Sequence, residues 1–332
     1  MNIIYLRGSI PDNYDRMAKY YYDSIGDCED MWTQLFCLLT KQLGGQGEML
    51  YQYNQKRRTH EAKGYFTEQW VPNFRDYDPP FKPDLIVCRG GFDYYDDFVC
   101  RFPKARKVYY GAGARFYPQS AFRDYHLFLV DSHKQLAKVR AKASKAKVDL
   151  LLKPAATLFA PVNVAKDYDV AFVANASEAL IKRHELFLRS FQGTGYRILN
   201  IGTVDQKWVE LARELMVDVT WSGWHLRKEL PGLLSRCNIG VCCCGDRDSC
   251  PRVIPEYLAC GLPIIVTDNV HFWHDKYVTQ ETGFVVQDDQ LVEGVHTIIA
   301  ERAAYDPAGY YERNLSMPVA AKRLKKQIQS IL

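Results

Sequence analysis

Two carboxylates flank a polar loop and the start of a short helix in the second half of the chain. The segment from Gly245 to Asp268 reads GDRDSCPRVIPEYLACGLPIIVTD: a loop, a helix that Gly261 stops, and an apolar strand. The unpaired backbone N–H groups and the dipole at a helix start attract phosphate, and Asp248 and Glu256 stand on either side of that start. A carboxylate accepts two hydrogen bonds from a vicinal diol. Phosphate and diol together predict a nucleotide sugar as the ligand.

Each carboxylate also has a purely structural interpretation. The i, i+4 spacing of Arg252 and Glu256 is that of a surface ion pair, although Arg before Glu is the weaker orientation. Asp248 has the position of a loop residue that caps its own turn. The residue type alone does not establish a functional role for either carboxylate.

The same stretch resembles the GT-B glycosyltransferases of the large retaining family that carries a Glu-x7-Glu motif, known as group 1 or family 4. The matching residues are Asp248 to Glu256, Ala259 to Pro263 and Thr267-Asp268. Asp248 stands in place of the first Glu and is one methylene shorter, and Pro255 stands where an apolar residue is usual. If the helix begins at Arg252 or Val253, Pro255 falls in its first turn, where the missing N–H costs little.

The resemblance implies transfer of a hexose from a nucleotide diphosphate sugar to an acceptor hydroxyl, with retention at the anomeric carbon and without a metal ion. It assigns the sugar hydroxyls to Asp248 and the ribose to Glu256, as the catalytic pair. The predicted nucleotide contacts in this stretch are Ser249, Cys250, Pro251, Arg252 and Val253. No cofactor is implied besides the nucleotide sugar as co-substrate, and the acceptor is a glycan, a lipid-linked molecule or a protein.

A second group of candidate residues follows the strand from Asp169 to Val173. Asn175 ends that segment, and Lys182 and Arg183 stand in the helix after it. Two cations there would hold a diphosphate by charge-assisted contacts, and the segment looks like the first strand of the family's nucleotide domain. Gly223 stands near the end of the third strand, where the resemblance puts a glycine beside the nucleotide. The alternative interpretation of the two cations is a solvated helix face.

Two further motifs are discounted. The cysteines at 242 to 244, 250 and 260, with His271 and His274, are metal-ligand types, but no C-x2-C spacing exists and strand alternation sends Cys243 away from its two neighbours. We therefore predict no metal site. The glycines at 90 and 91 and at 111 and 113 do not form G-x-G-x-x-G, so a bound dinucleotide is not expected.

Composition bounds the class of protein. A chain of 332 residues, 47% hydrophobic and 25% charged, is globular and long enough for two domains. It has no run of about 20 apolar residues, no signal peptide pattern and ten cysteines without framework spacing, which predicts a cytoplasmic protein with reduced thiols. The net charge of +4 is too small to imply nucleic acid.

Charge is unevenly divided along the chain. Residues 1–165 hold 24 Lys and Arg against 18 Asp and Glu, and the remainder holds 19 against 21. A basic first half suits an anionic acceptor or an anionic membrane surface, with solvated helix faces as the alternative.

Short apolar runs alternate with amphipathic stretches in both halves, which is typical of parallel βαβ units. We predict an α/β protein of the GT-B type, with two Rossmann-like domains and a cleft between them. The expected bounds are 1–160 for the acceptor domain, 161–315 for the donor domain, and 316–332 for a basic amphipathic helix. That helix crosses back to the first domain or lies on a membrane. Tyr51 to Pro83 is expected to be an ordered loop or irregular insertion, and one helix is expected from Glu178 to Phe191.

Two other functions stay open at this point. A sugar-nucleotide epimerase shares the fold. A non-catalytic sugar-nucleotide-binding protein would keep the same site without turnover, and the shortened Asp248 is compatible with that.

Overall fold

A computed structural model describes residues 1–9, 30–52, 58–90, 95–111, 124–143, 145–246, 248 and 250–332. Within these residues the chain forms two compact units, the first made of Met1–Leu152 with Met317–Leu332 and the second of Lys153–Ser316. Each unit is built on its own sheet flanked by helices, so the predicted α/β class is confirmed. The strand predicted from Asp169 to Val173 is present as Tyr168–Val173.

The first unit contains an eight-stranded sheet in the order β3-β4-β2-β1-β5-β6-β7-β8. All neighbouring strands are parallel except β3, which is antiparallel to β4. The strands are β1 (Asn2–Ser9), β2 (Gln46–Gln52), β3 (Arg58–Lys63), β4 (Phe66–Val71), β5 (Leu85–Arg89), β6 (Arg106–Tyr110), β7 (Leu127–Val130) and β8 (Lys147–Leu150).

The hairpin of β3 and β4 corrects the interpretation of residues 51–83 as a loop or irregular insertion. The two strands extend the sheet beyond β2. β4 is nearly continuously buried, with Trp70 stacked on Tyr51 at 4.8 Å between ring centroids. β3 reads RTHEAK and forms the outer edge, where a strand keeps a polar sequence. Both strands contain polar residues, so the search for apolar alternation did not predict them.

The helices of the first unit are α1 (Met31–Gln42), α2 (Tyr95–Cys100), α3 (His133–Lys142) and a C-terminal helix (Met317–Gln329). The C-terminal helix packs on α1 and buries Leu324 and Ile328. Its Gln327 side chain donates to the carbonyl of Leu150 at 2.9 Å, which ties the helix to the end of β8. Its cations, among them Lys322 and Lys326, lie on the exposed side, as its amphipathic sequence indicates.

The second unit contains a six-stranded, wholly parallel sheet in the order β11-β10-β9-β12-β13-β14. The strands are β9 (Tyr168–Val173), β10 (Ile198–Ile201), β11 (Val219–Trp221), β12 (Cys237–Cys242), β13 (Ile264–Thr267) and β14 (Gly283–Val286). The helices are α4 (Ala179–Lys182), α5 (His184–Ser190), α6 (Gln206–Glu214), α7 (Leu230–Ser235), α8 (Val253–Ala259), α9 (His274–Tyr277), α10 (Leu291–Ala300) and α11 (Pro307–Asn314).

This strand order reverses direction between β9 and β12, which is the topological switch point of a doubly wound sheet. Ligands of such sheets bind outside the carboxyl ends of the strands at that point. The residues that follow β9 and β12 include Asn175 and Asp248, so the fold itself brings the two predicted groups of site residues to one edge.

The helix expected from 178 to 191 is interrupted. A 3-10 turn at Ala176–Glu178 leads into α4, and α5 begins only after Arg183, which has φ 58°. A non-glycine residue in the left-handed region costs of order 1 kcal/mol or more and persists where surrounding contacts hold it. The periodicity of the segment gave no sign of this break because the residues on both sides favour helix.

Helix α8 is held on the sheet by one aromatic residue. The hydroxyl of Tyr257 donates to the carbonyls of Ala171 and Val241 at 3.2 and 3.3 Å, and the N–H of Val173 donates to it at 3.0 Å. The ring lies directly over Gly240 of β12, where a Cβ would be 2.4 Å from ring carbons. Glycine at 240 is thus what lets α8 approach the switch point.

Candidate functional site

Lys182 and Asp248 form the centre of the candidate site. The ammonium of Lys182 lies 2.7 Å from Oδ2 of Asp248, and their side chains are only 16% and 22% exposed. Lys182 ends α4 after β9, and Asp248 lies in the loop after β12, so the pair spans the two strands of the switch point. Burial disfavours the ammonium, but Cys244, Asp248 and Cys242 together outweigh it, so the pKa of Lys182 is raised above its ordinary value.

Arg183, the other predicted phosphate ligand, is paired with Asp288. Its guanidinium contacts both carboxylate oxygens of Asp288, one of them at 2.8 Å, and Asn269 donates to the same carboxylate at 3.2 Å. The hydrogen bond from Arg183 outweighs the effect of burial and lowers the pKa of Asp288. This bidentate contact fixes the left-handed residue between α4 and α5.

Glu256, the second predicted carboxylate, is buried, and it forms an ion pair with a residue of another segment. Nη2 of Arg227 donates to Oε1 of Glu256 at 2.7 Å, and the two side chains are 11% and 9% exposed. The Arg227 guanidinium also lies over the ring of Phe159, at 5.4 Å from its centroid. Arg252, the partner that the i, i+4 spacing suggested, is exposed instead.

The backbone between the two carboxylates takes an unusual path. Cys250 is buried and has φ 48°, another non-glycine residue in the left-handed region. Pro251 and Val253 are buried, and Arg252 occupies the cap position of α8 without a capping side chain. Since α8 begins at Val253, Pro255 is its third residue, which confirms the expected place in the first turn. Ser249 lies outside the described residues.

Asn175 and Gly223 both help to shape the carboxyl edge of the sheet. Oδ1 of Asn175 accepts from the N–H of Thr203 at 3.0 Å, which links the loops after β9 and β10. Gly223 has φ 81°, and its carbonyl accepts from the N–H of Gly202 at 2.9 Å. The predicted residues that the structure describes therefore share one edge, and Lys182 and Asp248 are joined there by a direct side-chain contact.

The three consecutive cysteines at the end of β12 and just after it alternate as predicted. Sγ of Cys242 lies 3.6 Å from Sγ of Cys244, whereas Cys243 directs its thiol to the carbonyl of Lys182 at 3.5 Å. Within the described part of the chain, no group of three or more His, Cys, Asp and Glu side chains is arranged to hold a metal ion.

Sequence reasoning missed Arg227 and Asp288. Arg227 lies in a 3-10 turn (Arg227–Glu229) before α7, and Asp288 begins another 3-10 turn (Asp288–Gln290) after β14. Each is far along the chain from its partner, and nothing in the local pattern around either residue indicates the pairing. A usable signal is positional: Asp288 follows a strand end at the same edge as the site.

The strand order of the second unit is that of a nucleotide-binding Rossmann-like unit. Residues 167–301 match the family model described as glycosyl transferases group 1. Over these residues the second unit is therefore similar to the group 1 glycosyltransferases. No curated protein matches the sequence significantly.

Solved structures place the whole chain in the GT-B fold. Sucrose-phosphate synthase from Thermosynechococcus elongatus is similar with a TM-score of 0.72 at 14% identity, covering 99% of this chain and 98% of that protein. The lipopolysaccharide outer core galactosyltransferase WaaB gives 0.67 at 14% identity, with all of both chains covered. Anabaena HepE, solved in complex with UDP and glucose, gives 0.64 at 12% identity, covering 99% of this chain and 100% of that one.

Proposed function

We propose that this glycosyltransferase moves a hexose from a nucleotide diphosphate sugar to an acceptor hydroxyl, with retention at the anomeric carbon and without a metal ion. The observation that carries the proposal is the Lys182–Asp248 pair at the switch point of the group 1 domain. It puts a cation suited to phosphate beside a carboxylate suited to sugar hydroxyls. HepE, a structural neighbour, binds UDP and glucose, which supports a donor of this class.

In the proposed complex, Lys182 and Arg183 bind the diphosphate. Departure of the nucleotide breaks the bond from the anomeric carbon to the phosphate oxygen, and the electron pair stays on the diphosphate. Cations fixed at that position stabilise the developing charge. Both cations already have carboxylate partners, Asp248 and Asp288. Donor binding therefore requires Lys182 to share or exchange its partner.

Asp248 and Glu256 divide the rest of the donor between them. Once the diphosphate holds Lys182, the Asp248 carboxylate becomes available for hexose hydroxyls. The Arg227 contact uses only Oε1 of Glu256, and the described residues give Oε2 no hydrogen-bond partner. We assign Oε2 to the ribose. The residues from Ser249 to Val253, together with Asn175 and Gly223, are proposed to line the remaining nucleotide.

The basic surface of the first unit is proposed to attract the acceptor. We define this basic surface as the exposed side chains of Lys134, Lys138, Arg140, Lys142, Lys145, Lys147, Lys322 and Lys326. Residues 133–147 and the C-terminal helix contain no Asp or Glu, and Lys147 donates to Ser330 at 2.7 Å, which places the two segments side by side. Such a surface is suited to the anionic headgroups of a membrane that carries a lipid-linked acceptor. Within the described residues, no helix is both long and apolar enough to cross a bilayer.

The proposed location is the cytoplasm, at a membrane surface. The nine described cysteines form no disulfide with one another, although Cys242 and Cys244 have thiols 3.6 Å apart. Reduced thiols at that distance suit a reducing compartment.

Incubation with a panel of nucleotide sugars tests the proposal. An acceptor is not needed at first, because slow hydrolysis of a donor releases nucleoside diphosphate and suffices as a signal. An epimerase would interconvert sugars without releasing nucleotide, and a binding protein would show neither change. Proton NMR of the product reports the anomeric configuration, and a loss of activity in EDTA would contradict the metal-free mechanism.

A further inference from the structure

A pocket of about 470 Å³ lies within the second unit at the edge of the sheet opposite to the candidate site. We call it the amino-edge pocket. Lys166 precedes β9, Ser235 precedes β12 and Gly261 precedes β13. Because the sheet is wholly parallel, all three lie at its amino-terminal edge. Arg302 and Tyr305, which follow α10, close the pocket.

Two cations line the amino-edge pocket without carboxylate partners. Nζ of Lys166 donates to the carbonyl of Cys237 at 2.7 Å. Arg302 donates to the carbonyl of Gly261 at 2.7 Å and to that of Tyr305 at 3.4 Å. Among the residues that the structure describes, neither cation forms an ion pair. The buried or half-buried cations of the candidate site, by contrast, each have a carboxylate within 4 Å.

The carboxylate that lines the pocket together with these cations has other partners. Asp306 lines the pocket, but its Oδ1 accepts from the N–H of Gly309 at 3.0 Å and its Oδ2 from Arg313 at 3.2 Å. The carboxylate of Asp306 therefore does not neutralise the positive charge of Lys166 and Arg302.

The pKa values of both cations are lowered in this arrangement. Burial lowers the pKa of Lys166, and the charge of Arg302 lowers it further. Burial also lowers the pKa of Arg302. Two cations that disfavour each other in a concave site gain most from a doubly charged anion.

We infer that the amino-edge pocket binds a phosphate monoester, with its dianionic phosphate between Lys166 and Arg302. The hydroxyl of Ser235 accepts from the N–H of Val162 at 2.9 Å, so its proton is directed elsewhere and provides a third donor. Val162 and Val164, which are 44% and 40% exposed, offer an apolar wall for the organic part of the ligand. This site is distinct from the donor site and does not depend on the proposed reaction.

Calorimetric titration of the full chain with inorganic phosphate and with glycerol 1-phosphate tests the inference. All titrations are made in a Lys182→Gln background at low ionic strength, so that phosphate bound near Lys182 does not mask the second site. We expect one saturable site, and we expect Lys166→Gln and Arg302→Gln each to weaken it about tenfold or more, since each removes a charge-assisted hydrogen bond. Lys207→Gln, an exposed lysine on α6, is the matched control and should leave the affinity unchanged.

Two results would overturn the inference: no saturable phosphate binding, or the same affinity in all three variants. Because Arg302 also binds the carbonyl of Gly261, Arg302→Gln carries a risk of misfolding. Lys166 lies at an exposed position, and the described residues give its ammonium one hydrogen bond, to the carbonyl of Cys237, so Lys166→Gln decides the question if the Arg302 variant unfolds. If the proposed glycosyl transfer is wrong, the titrations keep their meaning, because the Lys182→Gln background is common to all of them.

Discussion

The ammonium of Lys182 lies 2.7 Å from the carboxylate of Asp248, so a residue proposed to bind phosphate is paired with one proposed to bind sugar. Without a donor, the two charges neutralise each other. Under the proposed function, a diphosphate competes with Asp248 for Lys182, and a hexose then meets a carboxylate that has been released. The proposal therefore predicts that binding of the two halves of the donor is coupled through this contact.

The variant Asp248→Asn should separate binding of the diphosphate from binding of the hexose. Removing the carboxylate charge leaves Lys182 to the diphosphate, so UDP should bind at least as tightly as to the wild type. Turnover of the intact donor should fall about tenfold to a hundredfold, because one charged hydrogen bond to the sugar is lost. Calorimetry gives the first quantity and nucleoside diphosphate release the second. Asp246→Asn, in the same loop, is the control, and weaker UDP binding by Asp248→Asn would contradict the coupling.

Glu256→Gln should affect both stability and nucleotide binding. It removes one charge of the buried pair with Arg227, so we expect a loss of about 1–3 kcal/mol in the free energy of unfolding and about tenfold weaker binding of UDP. Urea denaturation and calorimetry measure the two effects.

The exposed pair of Glu185 and Arg189 provides the comparison for that variant. Its side chains are 59% and 57% exposed, so Glu185→Gln should cost less than about 0.5 kcal/mol. Combining Glu256→Gln with Arg227→Gln should recover part of the lost stability, because no unpaired charge then stays buried. Unchanged UDP affinity in Glu256→Gln would remove Glu256 from the nucleotide site.

His184 should make stability depend on pH. Its ring is buried between Phe172 and Trp208, at 5.3 and 5.4 Å between centroids, and burial lowers its pKa. Below the unfolded value of about 6.5 the unfolded chain binds a proton that the folded chain does not, so stability is full above that pH and falls as pH decreases toward the lowered folded pKa.

His184→Phe keeps an aromatic ring and removes the titration. The difference in unfolding free energy between this variant and the wild type should be constant above pH 7 and shift in favour of the variant below pH 6.5, by at most about 1.4 kcal/mol per pH unit. Urea denaturation from pH 5 to 8 measures it. His126 and His274, whose pKa values are also lowered, are present in both proteins and cancel in the difference. A flat difference would show that His184 does not titrate on unfolding.

The basic surface should bind vesicles that contain anionic phospholipid and not vesicles of zwitterionic lipid alone. Replacing Lys138, Lys142 and Lys145 by Gln should weaken binding about tenfold or more in a sedimentation assay at low salt. The matched triple variant replaces Lys207, Arg213 and Lys228, exposed cations of the second unit. Equal loss in both variants would indicate nonspecific attraction and not a defined surface.

The sequence was most informative where a pattern is local. The strands follow from short apolar runs, the position of Pro255 from the start of α8, and the opposite directions of Cys242 and Cys243 from strand alternation. In each case a residue's environment is decided within a few positions of the chain, where backbone geometry fixes the outcome.

What the sequence could not predict depends on distant partners. Arg227 approaches Glu256 across 29 residues and Asp288 approaches Arg183 across 105. The left-handed backbone at Arg183 is held by that distant carboxylate, so the break between α4 and α5 has no local cause to detect. The β3 strand escaped notice because an edge strand tolerates polar residues on both faces.

Because the ring of Tyr257 packs over Gly240, the Glu256 side and the Lys182 side of the candidate site differ in how firmly they are held to the sheet. Tyr257 is bonded to both central strands and directly follows Glu256, so the carboxylate proposed for the ribose moves only with the sheet. Lys182 ends a four-residue helix that a left-handed residue separates from the next one. Under the proposed function, we therefore expect any adjustment to donors of different size to occur on the lysine side, with the ribose side as the fixed reference for the position of the sugar.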